Sequence, residues 1–378
     1  MRERVRAVQP SATFTISELA KKLRAEGKPV IDMGVGEPDF VTPQHIIDAA
    51  IKAMHEGKTF YTPARGIPEL LQAIVEKLKV ENGLEYGMEN IIVTPGAKHA
   101  VYEAMMATVD SGDEVILLDP SWVTYEACIL MAGGKPVWVP HSEDFSDAAI
   151  EDYVTEKTRM IVINSPSNPL GVVYDKEFLK KVRDIAVDHD ILVMSDEVYE
   201  KIIFEGEHIS IASLDGMKER TIIINGFSKT YAMTGWRLGY AVAPKEIVST
   251  MAKIQSHSVS CATSFVQYAG IAALKGDQSF VDQMREEFKQ RRDLLMKGLD
   301  ELEIKYAPPR GAFYMFMDVG VDAQTFCQEF LRREYVATTP GGAFGESFIT
   351  WVRLSYATSK QNISEMLERL ERFMGVMQ

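Results

Sequence analysis

A lysine and an arginine placed eight residues apart follow an apolar run that is rich in β-branched residues. They are Lys229 and Arg237 in the segment NGFSKTYAMTGWR, and the run before them, residues 221–224, is typical of a buried strand. A lysine beside a protein core must lose its charge, find a partner or form an imine with a carbonyl compound. Arg237 could then bind a phosphate group of that compound. The alternative is that Lys229 reaches water from a loop and Arg237 makes a surface ion pair.

The segment SKTYAMTGWRLGY resembles the cofactor-lysine signature of the class I and II aminotransferases, which are pyridoxal-phosphate enzymes of fold type I. That signature is Ser-Lys, a short spacer and Gly-Trp-Arg-x-Gly, and here it begins at Ser228 and ends at Gly239. The segments GEPDF, GAKHA, NPLG, SDEVYE and PGGAFG extend the resemblance from about residue 10 to the C-terminus. It implies that Ser228, Lys229 and Arg237 bind pyridoxal 5'-phosphate, with Lys229 bonded to it and acting as the general base.

The resemblance assigns four further side chains to the ring of the cofactor. Asp196 is expected to pair with the pyridine nitrogen, Asn168 and Tyr199 to hydrogen-bond the phenolic oxygen, and Trp122 to stack on the ring. From the residues alone, Asp196 could instead cap a helix and Asn168 could belong only to an Asn-Pro turn. Trp122 could be an ordinary core or surface residue.

A turn at a helix start is expected to bind the phosphate group. The resemblance places it at Gly96, Ala97 and Lys98 in GAKHA, and a helix start suits an anion because its first amides have no partner. Tyr61, in YTPARG, resembles the tyrosine that reaches across a dimer interface to the phosphate of the neighbouring subunit. The resemblance therefore implies a homodimer with shared active sites.

Cationic side chains are also expected to recognise the substrate. Arg353 matches the arginine of the family that binds the substrate α-carboxylate, a task that suits a planar guanidinium, and Gly36 matches a glycine whose backbone contacts the same group. In the bacterial and archaeal aspartate aminotransferases, a lysine of the phosphate turn and a Ser or Thr near the N-terminus bind the distal carboxylate. Lys98 and Thr13 occupy these places, although Lys98 could be an exposed charge in the first turn of a helix. The expected substrate-binding residues are Thr13, Gly36, Lys98, Trp122, Asn168 and Arg353.

Buried strands are expected to position most of these residues. Seven short apolar runs typical of such strands lie at residues 91–95, 114–119, 135–140, 159–164, 191–195, 221–225 and 238–243. Most alternate with helical segments, which predicts an α/β fold with a mostly parallel seven-stranded sheet between helices. Ligands of such sheets bind beyond the carboxyl ends of the strands. Lys98, Asn168, Asp196 and Lys229 each follow one of the runs, so we expect them to line one crevice.

The remaining pattern indicates a second, smaller domain. Amphipathic helices are predicted at residues 15–25, 44–56, 67–80, 278–303 and 362–376. A length of 378 residues predicts about two domains, and the strand–helix alternation stops after the long helix. With the resemblance, we expect a large cofactor-binding domain at residues 41–284 and a small α+β domain built from residues 1–40 and 285–378.

The composition of the chain argues against several kinds of binding partner. A net charge of −13 would repel nucleic acid and anionic membranes, and no apolar run is long enough for a membrane helix or a signal peptide. The three cysteines, Cys128, Cys261 and Cys327, form neither a disulfide framework nor a zinc pattern. We therefore expect a cytoplasmic protein with no nucleic-acid, membrane or metal partner.

The resemblance implies an aminotransferase that moves an amino group from L-aspartate to 2-oxoglutarate by a ping-pong mechanism, with amino acids and 2-oxo acids as its partners. One alternative is an aminotransferase of aromatic, prephenate, alanine or broad specificity. Another is a pyridoxal-phosphate-dependent carbon–sulfur lyase. The last is a non-catalytic ligand-binding protein of this fold, which would be expected to have lost Lys229 or Asp196, and both are present.

Overall fold

The structure of the protein is a computed structural model that describes residue 8 and residues 12–377, without the side chains of residues 12–15, 17 and 376–377. Its α-helices are α1 (Ala12–Ala25), α2 (Gln44–His55), α3 (Pro68–Asn82), α4 (Ala97–Thr108), α5 (Thr124–Ala132), α6 (Lys176–Asp188), α7 (Phe227–Thr230), α8 (Lys245–Ser258), α9 (Ser264–Lys275), α10 (Ser279–Glu301), α11 (Ala323–Glu334) and α12 (Lys360–Met377). Its strands are β1 (Ile31–Asp32), β2 (Ile91–Thr94), β3 (Glu114–Asp119), β4 (Lys135–Pro140), β5 (Thr158–Asn164), β6 (Leu192–Asp196), β7 (Thr221–Gly226), β8 (Gly239–Val242), β9 (Tyr306–Ala307), β10 (Tyr314–Asp318), β11 (Val336–Ala337), β12 (Thr339–Pro340) and β13 (Trp351–Ser355). None of the described helices is both long and apolar enough to cross a lipid bilayer.

The seven predicted strands form one central sheet in the order β2-β8-β7-β6-β5-β3-β4. Six of them run in one direction, and β8 is antiparallel to its neighbours β2 and β7 because a short connection returns the chain from β7. Every residue of β2, β3, β7 and β8 is buried, as expected for a sheet covered on both faces. The predicted α/β fold with a mostly parallel sheet is therefore confirmed.

A smaller sheet has the order β12-β13-β10-β9 with antiparallel neighbours, and β1 pairs in parallel with β11. Both ends of the chain share the core beside it, because Ile16 of α1 and Phe373 of α12 belong to the same buried cluster as Phe288 of α10. The five predicted helices are present as α1, α2, α3, α10 and α12. The helices α1 and α12 begin three and two residues earlier than predicted, a common difference because apolar spacing does not define helix ends.

Three strands of the central sheet end beside one another. Asn164, the last residue of β5, pairs with Asp196, the last residue of β6, and β7 ends alongside at Gly226. Because these strands are parallel, the segments that follow them emerge at one edge of the sheet. Residues of β10, β12 and β13 line the same cavity as these strand ends, so the two sheets enclose the site together.

Candidate active site

A cavity of about 430 Å³ lies between the carboxyl edge of the central sheet and the smaller sheet. The predicted site residues that line it are Gly36, Ala97, Lys98, Trp122, Asn168, Asp196, Tyr199, Ser228, Lys229, Arg237 and Arg353. Gly96 lies behind the wall against Arg237, whereas Tyr61 lies outside the cavity and is 89% exposed. The predicted contact of Thr13 falls on a side chain outside the described part of the chain. The structure thus brings most of the predicted residues together.

Lys229 lies just beyond the end of β7, in the short helix α7, and its Nζ donates a hydrogen bond to the carbonyl oxygen of Gly36 at 2.5 Å. Burial lowers the pKa of Lys229 from 10.5 to about 8, although the carboxylate of Glu37 opposes this shift, and Arg353 adds to it. The ammonium form still predominates near neutral pH, but the neutral amine is far more populated than in an ordinary lysine. A neutral amine is the form that attacks a carbonyl carbon and accepts a proton.

Asp196 ends β6 as a buried carboxylate whose Oδ2 accepts a hydrogen bond from the Tyr125 hydroxyl at 2.5 Å. Burial raises the pKa of Asp196 to about 6, and the hydrogen bond from Tyr125 opposes the rise. No helix starts at Asp196, since a turn follows it, so the capping alternative does not hold. An ionised carboxylate in this apolar setting suits a cationic partner such as a protonated ring nitrogen.

A network of hydrogen bonds connects Asn168 to the end of β6. The backbone N–H of Asn168 donates to the Asn164 side chain at 2.8 Å, and Asn164 Nδ2 donates to the carbonyl of Asp196 at 2.9 Å. Asn168 Oδ1 accepts a hydrogen bond from Arg353 Nη1 at 3.1 Å. Hydrogen bonds to other parts of the site, and not only the predicted Asn-Pro turn, therefore hold Asn168 in place.

The start of α4 and Arg237 lie side by side and offer hydrogen-bond donors to an anion. Gly96 precedes the helix with φ of +89°, and a Cβ there would lie 2.6 Å from Arg237 Nη2, so only glycine suits this position. Arg237 Nη1 donates to the carbonyl of Thr234 at 2.7 Å, which holds the guanidinium beside the helix start. Ser228 and Ala97 line the adjoining wall. Free helix amides next to a guanidinium suit a phosphate group.

Lys98 and Trp122 lie next to each other in the wall of the cavity. Lys98 Nζ lies 5.2 Å from the centre of the Trp122 ring, and that ring contacts Tyr125 edge to face at 5.2 Å. Lys98 is exposed in the first turn of α4, which agrees with the alternative that it is only a surface charge at a helix start. It also lines the cavity, which agrees with a role in substrate binding. Its geometry is compatible with both interpretations.

Arg353 is a buried cation of β13 that pairs with no carboxylate of the described residues. Its guanidinium lies between the rings of Tyr314 and Phe344, at 4.7 and 4.9 Å from their centres. Its Nη2 donates to the carbonyl of Gly34 at 2.6 Å, while its Nε has no partner among the described residues. A buried arginine with a free N–H requires an anion, and a carboxylate matches the geometry of the guanidinium.

Sequence reasoning missed several residues of the cavity wall, among them Tyr125, Tyr314, Thr339 and Gly34. Tyr125 lies three residues after Trp122, and its backbone N–H donates to the Trp122 carbonyl at 3.0 Å, so the stacking residue could have indicated it. Tyr314 and Thr339 belong to strands of the smaller sheet and carry no recognisable motif of their own.

Known proteins resemble this chain in both sequence and structure. Residues 28–370 match the profile of the family described as aminotransferase class I and II. The chain is 45% identical to the aspartate aminotransferase of Bacillus subtilis over 98% of both proteins. It is 40% identical to the aromatic-amino-acid aminotransferase 2 of Thermococcus litoralis over 98% of this chain and 97% of that protein. A solved structure of the aspartate aminotransferase from Thermus thermophilus with maleate has a TM-score of 0.95 and 41% identity, over 98% of this chain and 99% of that one.

The fold and the comparisons define a pyridoxal-phosphate enzyme of fold type I. The chain belongs to the aminotransferase class I and II family. The predicted resemblance, the enzyme class and the cofactor are thereby confirmed, and amino acids and 2-oxo acids are the substrates of this class. The cavity fits pyridoxal phosphate, because it offers the amine of Lys229, the carboxylate of Asp196 and, at the start of α4, hydrogen-bond donors for a phosphate group.

Proposed function

We propose that the protein transfers the amino group of L-aspartate to 2-oxoglutarate. The observation that carries this proposal is the pair of cations in one cavity: Arg353 is buried with no acidic partner among the described residues, and Lys98 lines the same cavity. Both aspartate and 2-oxoglutarate carry two carboxylates, and each carboxylate needs a cation once it leaves water. The names of the relatives from Bacillus subtilis and Thermus thermophilus support the same substrate.

Each predicted cofactor residue has a place in this proposal. Lys229 would hold the cofactor covalently, Asp196 its ring nitrogen, Asn168 and Tyr199 its phenolic oxygen, and Trp122 its ring face. The residues around its phosphate would be Gly96, Ala97, Lys98, Ser228 and Arg237. When bound, pyridoxal phosphate supplies an electron sink that stabilises negative charge at the substrate α-carbon.

Arg353 would determine where the substrate binds. Its free N–H groups would bind the α-carboxylate, with the Gly36 backbone and Asn168 beside it, and so fix the α-carbon near Lys229. Once the substrate amine has displaced Lys229 from the cofactor, the freed Lys229 Nζ, whose pKa is lowered by burial, would remove the α-proton as a general base. Lys98 and Thr13 would bind the distal carboxylate.

Aromatic specificity is the second candidate, because Trp122, Tyr125 and Phe344 line the same cavity. These rings could contact an aromatic substrate side chain. The relative from Thermococcus litoralis, at 40% identity, carries the name of an aromatic-amino-acid aminotransferase.

Half-reaction spectroscopy would separate the two candidates. The purified holoenzyme is mixed with aspartate, glutamate, alanine, phenylalanine or tyrosine, one at a time, and the cofactor absorbance is followed. We expect fast conversion by aspartate and glutamate only, and none in Lys229→Ala. Fast conversion by phenylalanine and tyrosine would contradict aspartate specificity and support aromatic substrates instead. Activity of Lys229→Ala would contradict the role of the lysine.

We also propose that the protein is a homodimer with shared sites. Phe60 and Tyr61 support this, because their side chains are 80% and 89% exposed and large aromatic groups rarely remain uncovered. In the proposed dimer, Tyr61 completes the phosphate site of the partner. Mixing the inactive variants Tyr61→Ala and Lys229→Ala under exchange conditions should restore up to about a quarter of the activity, since one site of each heterodimer is then intact. No recovery despite proven exchange would contradict shared sites.

The domain division and the location complete the proposal. The core shared by α1, α10 and α12 supports a small domain of residues 1–40 and 285–378 beside a large domain of residues 41–284. Residues 1–7, 9–11 and 378 of the small domain lie outside the described part of the chain. The three free cysteines support a cytoplasmic location, because a reducing compartment maintains thiols.

A further inference from the structure

Two buried phenol groups meet at the back of the cavity. The hydroxyl oxygens of Tyr199 and Tyr314 lie 2.7 Å apart, and their rings are nearly perpendicular. Tyr199 belongs to the turn after β6, whereas Tyr314 begins β10 in the smaller sheet. This hydrogen bond therefore connects a predicted cofactor residue to the other side of the cavity.

The surroundings of the two hydroxyls determine which one donates. The guanidinium of Arg353 lies over the Tyr314 ring at 4.7 Å, and a positive charge there makes the Tyr314 hydroxyl the more acidic of the two. Burial raises the pKa of both phenols, and Asp196 adds to both shifts while Arg353 opposes both. The hydrogen bond between the two hydroxyls raises the pKa of Tyr199 and lowers the pKa of Tyr314. The stronger acid donates, so the hydrogen of Tyr199 remains available to the cavity.

Gly36 covers the other side of the Tyr314 hydroxyl. A Cβ at Gly36 would lie 2.5 Å from that oxygen, so the backbone of Gly36 passes directly over it. Among the described residues, Tyr199 is the hydrogen-bond partner of the Tyr314 hydroxyl. The Tyr314 hydroxyl is thus confined to the direction of Tyr199.

We propose that Tyr314 is a positioning residue with two separate tasks: its hydroxyl donates to Tyr199 and strengthens Tyr199 as a donor to the cofactor, and its ring holds Arg353 for the substrate carboxylate. The inference rests on the proposed function, because Tyr199 must face the phenolic oxygen of the cofactor. Hydrogen bonds in a chain polarise one another, so a donor behind Tyr199 increases the stabilisation of negative charge on that oxygen. This stabilisation disfavours protonation of the lysine-bound cofactor.

Two variants of Tyr314 separate the tasks. Tyr314→Phe removes the hydroxyl and keeps the ring, so the midpoint of the pH titration of cofactor absorbance should rise by roughly 0.5 to 1 pH unit, a threefold to tenfold change in proton affinity. Its affinity for maleate, a dicarboxylate that cannot react, should stay within about twofold of the wild type. Tyr314→Leu also removes the ring, so it should additionally weaken maleate binding by about fivefold or more.

A matched control and a double variant make the test specific. Tyr356→Phe removes another fully buried hydroxyl, which donates to the Ala312 carbonyl at 3.3 Å, and should leave the midpoint and maleate binding unchanged. In a Tyr199→Phe background, Tyr314→Phe should cause no further rise, because the path to the cofactor is already broken.

The outcomes distinguish this inference from the proposed function. An unchanged midpoint in Tyr314→Phe, or an equal rise with and without Tyr199, would refute the Tyr314–Tyr199 connection while leaving the proposed function intact. A wild-type protein without any Lys229-dependent absorbance would refute both.

Discussion

Glu200→Gln is expected to lower the free energy of unfolding by about 3 kcal/mol at neutral pH, although Glu200 does not line the cavity. Glu200 follows Tyr199 directly and accepts hydrogen bonds from Lys77, from Asn82 at 2.8 Å and from Asn225 at 2.7 Å. The side chains of Lys77 and Glu200 are only 6% and 5% exposed. Among the described residues, the substitution leaves the buried charge of Lys77 with one carboxylate at a longer distance, that of Glu81 at 3.7 Å.

The magnitude follows from the pKa of Glu200. Burial alone would raise this pKa, but the charges of Lys77 and His208 and the hydrogen bonds from Lys77 and Asn82 together lower it from 4.5 to about 2. At about 1.4 kcal/mol per pKa unit, the difference corresponds to about 3 kcal/mol. Because the pKa is lowered on folding, the contribution is complete above pH 4.5 and is lost as the pH falls towards about 2. Breaking a buried ion pair typically costs about 3–5 kcal/mol, which agrees.

Glu76→Gln is the matched control, since Glu76 pairs with Lys275 at 2.9 Å on the surface with both side chains half exposed. Chemical unfolding of the holoenzyme at equal protein concentration should show only a small loss of stability for this variant, because exposed ion pairs contribute little. The gap between Glu200→Gln and the wild type should also narrow as the pH falls below 4.5. Equal losses for Glu200→Gln and Glu76→Gln, or a gap independent of pH, would refute the reasoning.

Three further predictions concern the cavity. Arg353→Lys should lower kcat/KM for all amino acid substrates by about 10- to 100-fold, because one point charge replaces a two-pronged donor; a loss limited to dicarboxylic substrates would reverse the carboxylate assignment. Lys98→Ala should lower kcat/KM by about tenfold for aspartate and glutamate but hardly for alanine, and an equal loss for alanine would leave Lys98 only a phosphate contact. The rate at which apoenzyme takes up pyridoxal phosphate should rise with pH and level off above about 8, because only neutral Lys229 reacts; a rise continuing to pH 10 would contradict its lowered pKa.

The central sheet and half of the cavity were predictable from the sequence for one physical reason. Parallel strands buried on both faces appear as continuous apolar runs, and each predicted run agrees with a strand to within one residue at either end. Once the strands are known, the residues that follow them must meet at one edge of the sheet. The strand pattern of the sequence alone therefore predicts that Asn168, Asp196 and Lys229 lie close together.

The opposite wall could not be predicted in this way. Tyr314 and Thr339 belong to short strands of the smaller sheet, and their positions depend on how that sheet packs against the larger one. Lys77 and Glu200 lie 123 residues apart in the chain, and the spacing of apolar residues in the sequence does not indicate such a pairing. These contacts arise from tertiary packing, which local patterns do not encode.

The turn after β6 explains why a buried ion pair lies beside this active site. Tyr199 faces the cavity, whereas the next side chain, Glu200, faces the network behind it, so the backbone between them is held from both sides. A turn lacks the regular hydrogen bonds of a helix or strand, and Asn225 connects Glu200 to the end of the strand that leads to Lys229. Apolar residues could fill the same space, often with equal stability, but they would not fix the direction of the turn. We therefore expect the ion pair to hold Tyr199 and Lys229 in a defined relation, so that Glu200→Gln should loosen that relation even where the fold survives.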